Sequence, residues 1–358
     1  MNMPTTQDKK LIAAGDKPRL LELDALRGIA ALGVVLFHYM VAFIDQYDHA
    51  SEIFPGFRYF RYGKHGVELF FIISGFVIFM SLERTKNSRD FLFGRFSRLY
   101  PTYWAAVILS FAIITIARLP DLRVDWKDAL INLTMFQQFL NVPHIDGSYW
   151  TLQVEISLYI IMLTLWKTRL LRHIDTVAIA WLLLITTHYF LERANILLLD
   201  SRLRIFLLLD YAHLFIIGML LYKIFSSETI SIRKFFLIIA CLFFSLLKHG
   251  TEQTLFVMLF TTAFILILKG HLIYLRWKPL IFLGTISYSL YLIHLNLGLV
   301  TIKTLEKIGI NLNVCILISI VLALLLATIV TFLIEKPAMK LMKEGYKNWQ
   351  AKKVLDDV

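Results

Sequence analysis

Apolar residues fall along this chain in long blocks separated by short polar stretches. The blocks run near 25–45, 66–83, 99–118, 148–166, 174–191, 203–223, 234–247, 252–269, 281–300 and 314–334. Most have membrane-spanning length, about 17–25 residues, and the seventh is short for a span. The pattern predicts an all-α polytopic membrane protein of about ten transmembrane helices. It divides the chain into a polar tail over 1–22, a membrane domain over 23–336 and a basic tail over 337–358. No strand-rich region, low-complexity segment or strong internal repeat interrupts the blocks.

Composition agrees with the pattern. The chain is 58% hydrophobic, above the roughly one-half of a soluble domain, and its mean hydropathy is +0.67. A net charge of +11 in a soluble protein would suggest nucleic acid as a partner. Here its distribution relative to the blocks explains it, and no nucleic acid is expected. One set of flanks carries 24 lysines and arginines, among them Lys9, Lys10, Lys17, Arg19 and Lys336, and the other carries 12, among them Arg123. That bias places both termini in the cytoplasm, and an odd number of spans would spoil the alternation. The N-terminal stretch has neither the short apolar core nor the cleavage site of a secretory signal, so the first span reads as uncleaved. Cys241 and Cys315 both lie in apolar blocks, which argues against a disulfide framework or a cysteine metal site. There is no P-loop, GxGxxG, HExxH or CxxC, and no metal or permanently bound cofactor is expected.

The chemistry must then come from polar residues in or beside helices. In ALRGIAALGVVLFHYM, residues 25–40, Arg27 and His38 are 11 residues apart. That spacing is three turns plus about 20°, so both project from one face, about 16 Å apart along the axis. Ionisable residues inside a membrane mark function by default, although Arg27 also fits a snorkelling end residue and His38 an interhelical hydrogen bond. Glu155, in SYWTLQVEISLY, lies roughly 10 Å inside the outer end of its span, at the expected depth of His38. A base and its orienting carboxylate are one reading, and a structural carboxyl pair is the other. Ser287, Tyr291 and His294 share a face in GTISYSLYLIHL, and His294 reaches the same layer. Glu68 is placed near the outer surface. Arg95 and Arg98, at i and i+3, can converge on a phosphate or serve as ordinary positive-inside charge.

Five motifs together resemble the acyltransferase-3 family of integral membrane acyltransferases, which modify cell-surface glycans. They are Arg27-x10-His38; the Gly66–Phe76 block with Glu68 at its acidic position; Arg95, Arg98 and Pro101; Trp150, Thr151, Leu152 and Glu155; and Ser287, Tyr288, Tyr291, Leu292 and His294. They occur in the family's order, over roughly 20–340. The resemblance implies O-acylation: an acyl group, acetyl by default, moves from cytoplasmic acyl-CoA to a hydroxyl of a surface or lipid-linked glycan such as a polysaccharide or lipopolysaccharide. It also implies residence in a bacterial inner membrane, with the lipid bilayer, acyl-CoA and a saccharide as partners. Some members carry an extracytoplasmic domain that helps with the acceptor, so the resemblance leaves two alternatives: the membrane domain completes the transfer alone, or a separate extracytoplasmic partner does.

On this reading Arg27, Arg95 and Arg98 hold the CoA phosphates, and the thioester reaches His38 three turns deeper. His38 acts as general base, or carries the acyl group in a ping-pong variant, and Glu155 orients its ring. Tyr291, Ser287 or His294 stabilises the oxyanion. Glu68, Trp150 and the loop around 141–149 face the acceptor. Two rivals remain: a polytopic transporter of a glycan, lipid or small molecule, and a scaffold in an export complex.

Overall fold

The computed structural model describes residues 20–356 except 48, 50–52, 120, 121, 123 and 228–230. The expected N-terminal charges Lys9, Lys10, Lys17 and Arg19, and Arg123, lie outside the described residues. Among those described there is no β-strand. The helices are α1 (Leu21–Phe37), α2 (Phe43–Tyr47), α3 (Gly66–Arg84), α4 (Ser88–Ala117), α5 (Trp126–Asn132), α6 (Trp150–Lys167), α7 (Ile174–Arg193), α8 (Ser201–Phe206), α9 (Ala212–Ser227), α10 (Ile232–Leu268), α11 (Lys278–Lys307), α12 (Leu312–Val330) and α13 (Lys336–Asp356). A π-helical segment, His38–Ala42, joins α1 to α2, and a second, Thr331–Glu335, joins α12 to α13.

Among the described residues, seven helical stretches are long and apolar enough to cross a membrane, fewer than the ten blocks. The difference has identifiable sources. Helices α6 and α9 have 18 and 16 residues, near or below the minimum for a span. Helix α10 counts once but has 37 residues, about 55 Å if straight, nearly twice the hydrocarbon thickness. Gly250 breaks it, with φ 82° and ψ −176°, values that only glycine adopts without strain. The break separates the two blocks that the sequence places over 234–247 and 252–269.

Helix α1 lies at the centre, against α11, α3 and the 3₁₀ segment Phe57–His65. Lipid supplies no hydrophobic drive between helices, so small residues that allow close backbone approach set the crossings. At Gly284 an added Cβ would meet the Asp24 carbonyl oxygen at 1.9 Å, and at Gly28 it would meet the Gly284 nitrogen at 2.5 Å. The crossing of α3 with α9 uses Gly75 and Gly218 in the same way. Arg204, Lys248, Glu192 and Asp210 form a ring of ion pairs that ties α7, α8 and α10 to the turn before α9.

Replacing Gly284 by valine should force α1 and α11 apart. The expected cost is about 1–3 kcal/mol of stability, read as a lower melting temperature of the detergent-solubilised protein. An unchanged melting temperature would show that this contact does not limit packing.

Candidate active site

Two cavities lie along α1, and they have no described lining residue in common. The larger, about 1310 Å³, is lined, among the described residues, by nine Lys and Arg side chains and four carboxylates. Arg27 from α1 and Arg95 and Arg98 from α4 all face it, so the structure brings the three expected arginines together. The guanidinium of Arg95 also lies over the Phe91 and Tyr159 rings. One carboxylate, Glu22, is held by Arg276 at 2.8 Å. The remaining excess of positive charge suits a ligand with several phosphates.

The smaller cavity, about 500 Å³, contains His38, Glu68, Trp150 and Tyr291 from the expected set, with Gly147 and Ser148 from the expected loop. Helix α11 runs past both cavities. Its Gly284, Ser287 and Tyr288 line the larger, and its Tyr291 and Leu295 line the smaller.

His38 opens the first π segment, a kind of irregularity that often falls at functional sites. Its Nδ1 lies 3.0 Å from the Val34 carbonyl oxygen and 3.0 Å from Nε2 of His294. Nδ1 of His294 in turn lies 2.8 Å from the Tyr291 carbonyl oxygen. A carbonyl only accepts, so in neutral rings the proton of His294 sits on Nδ1 and its Nε2 accepts from Nδ1–H of His38. The chain of bonds leaves Nε2 of His38 with a free lone pair, in a ring that lines the smaller cavity. Tyr39, the next residue, donates to the His294 carbonyl oxygen at 2.5 Å, and its ring lies against Gly298.

Glu155 is not part of this chain of bonds. Its carboxylate accepts from Tyr159 on the same helix, whose ring lies under the Arg95 guanidinium. The expected His38–Glu155 pair is therefore replaced by His38–His294. Ser287 donates to the Gly284 carbonyl and faces the other cavity from Tyr291. His294 is fully buried behind His38 and lines neither cavity. Of the three candidates for an oxyanion donor, Tyr291 alone opens into the cavity of His38. Its hydroxyl lies 3.1 Å from Thr151 Oγ1 and 3.4 Å from the Ser148 carbonyl oxygen.

Sequence reasoning missed several residues around this cavity. Asp146, 1% exposed, accepts from the Ser148 amide at 2.9 Å, the Ser148 hydroxyl at 2.6 Å and the Asn296 amide at 3.1 Å. It thereby clamps the 145–148 loop to α11. Burial pushes its carboxyl above the usual range, and the bonds from Ser148 and Asn296 pull against that rise. The signal was present in DGSYW, where an aspartate caps the turn before a helix. In the lining of the smaller cavity, Nε2 of His65 meets Glu252 at 3.1 Å, and Nδ1 of His65 lies 3.5 Å from Glu68. Arg61 and Lys64 also bind Glu252, each at 2.8 Å. Those partners come from a 3₁₀ segment and from beyond the Gly250 break, and no single motif contains them.

A family model described as an acyltransferase domain matches residues 20–335, and the chain belongs to that family. A relative, acyltransferase MdmB of Streptomyces mycarofaciens, is 28% identical over 171 residues, which cover 46% of this chain and 43% of that protein. The alignment thus spans less than half of either. No solved structure matches.

Asp146→Ala should take this acceptor from three buried donors, the Ser148 amide, the Ser148 hydroxyl and the Asn296 amide, at a cost of about 1–3 kcal/mol for each group stranded. Thermal unfolding in detergent reads this; a loss below about 1 kcal/mol would mean that water or another acceptor replaces the carboxylate.

Proposed function

We propose that this chain is a membrane O-acyltransferase that takes an acyl group, acetyl by default, from acyl-CoA in the larger cavity to a hydroxyl group in the smaller. The observation that carries the reading is the placement of a polycationic cavity and a histidine-bearing cavity about three turns apart on one helix. Arg27, Arg95 and Arg98 hold the donor's phosphates, and the thioester arm runs along α1 and α11 towards His38. The larger cavity opens to the cytoplasm, in a protein of ten spans in a bacterial inner membrane.

The acceptor hydroxyl gives its proton to Nε2 of His38 as its oxygen attacks the thioester carbonyl. The hydroxyl of Tyr291 turns from its long bond to the Ser148 carbonyl oxygen and donates to the oxyanion that forms. The carbon–sulfur bond then breaks, and the proton on His38 passes to the departing thiolate, giving an ester and CoA-SH. His294 fixes the tautomer and orientation of His38, the part that a carboxylate plays in hydrolytic triads. Glu155 belongs to the electrostatics of the donor side. Glu68 and Trp150 line the acceptor's wall, and the acceptor is a saccharide of a surface or lipid-linked glycan.

The test is thiol release from acetyl-CoA by the detergent-purified protein, with a crude lipid-linked glycan extract as acceptor. His38→Ala should abolish release while CoA binding stays within about twofold of wild type. His294→Phe should lower kcat by about 10²–10⁴-fold, in keeping with the loss of an oriented base. Release that survives His38→Ala would overturn the mechanism. No release and no CoA binding would turn the reading towards transport.

A further inference from the structure

The family match stops at residue 335, but the wall of the larger cavity does not. Lys336, Met339 and Lys343, all on α13, line it. With Tyr346 and Gln350 these residues recur at i, i+3, i+7, i+10 and i+14. At 100° per residue they fall within an arc of about 80°, so one face of α13 presents them all.

The far end of that face is fastened to α4. The Tyr346 hydroxyl and Nε2 of Gln350 each donate to Oδ1 of Asp90 at 2.8 Å. The Tyr346 ring stacks on Phe93, centroids 4.1 Å apart and planes 11° from parallel. Asp90 itself lines the cavity. The helix beyond the matched domain is thus latched at one end and offers two ammonium groups to the cavity at the other. Lys352 lies about 160° round the helix from Lys336, on the opposite face.

We infer that α13 completes the anion-binding wall of the larger cavity: Lys343, held in place by the Tyr346–Gln350–Asp90 latch, contributes to binding a polyanionic, phosphate-bearing ligand. The identification of that ligand as acyl-CoA rests on the proposed function; the anion site does not. Lysine acts here as a mobile point charge, and the clustered arginines supply the directed hydrogen bonds.

Binding is measured by calorimetry on the full-length protein in detergent, with CoA and inorganic diphosphate as separate probes. Lys343→Glu should weaken both by at least tenfold. The double variant Tyr346→Ala, Gln350→Ala should weaken both by at least threefold. Lys352→Glu makes the same charge change on the opposite face and should stay within twofold of wild type. Melting temperatures confirm that each variant is folded. Unchanged affinity in Lys343→Glu overturns the inference, as does an equal loss in Lys352→Glu, which would reduce the effect to net charge. Diphosphate binding that depends on Lys343, without CoA binding, supports the anion site and overturns the acyl-CoA reading. If the wild-type protein binds neither probe, both fall.

Discussion

The approach of α1 to α11 governs the rest of the site. At Gly28 and Gly284 the two helices meet backbone to backbone, with no room for a Cβ. That contact brings His38 within 3.0 Å of His294 and lets the Tyr39 hydroxyl reach the His294 carbonyl. Two adjacent residues thus grip a single residue of α11, one by its ring and one by its backbone. A rise of even an ångström in the separation of the helices would break both bonds, because hydrogen bonds weaken steeply beyond about 3.2 Å. Orientation of the reactive imidazole is therefore a consequence of glycine packing nearer the other end of α1.

Much of this is legible in the sequence, for a physical reason. A membrane helix must be apolar nearly throughout, so its few ionisable residues stand out, and 3.6-residue periodicity fixes which of them share a face. Counting alone places Arg27 and His38 on one stripe, and the structure lines both cavities from that stripe. The expectation of a phosphate site joins Arg95 and Arg98 to Arg27, and all three face one cavity. The number of spans is harder to read, because helices such as α6 and α9 have lengths near or below the minimum for a span.

The errors also have one cause. Counting residues gives depth along a helix axis but not the direction a neighbouring helix faces. Depth alone matches Glu155 to His38, and α6 turns it instead towards Tyr159 and the arginine side. Ser287 and Tyr291 are one turn apart, about 6 Å, and that rise is enough to put them in different cavities. Asp146, His65 and Glu252 escape notice because they come from a loop, a 3₁₀ segment and the region past a helix break. Each acts through a partner far away in sequence.

The two π segments show why local pattern is an incomplete guide. One begins at His38, and the other ends at Glu335. Glu335 lines the larger cavity and accepts from Ser289 at 2.9 Å, which in turn accepts from Thr331 at 2.8 Å. A π turn inserts a residue into the helical repeat, so every side chain beyond it is rotated relative to the face before it. In the first case the rotation comes just after the catalytic candidate and carries Tyr39 onto α11. In the second it precedes α13 and decides which face of that helix turns to the cavity. Neither stretch, HYMVA or TFLIE, carries a sequence sign of the irregularity, since a wider turn needs no special residue. A regular 3.6-residue projection carried across either segment therefore assigns the wrong face to the residues beyond it, and the placement of Lys343 against the cavity has to come from the fold.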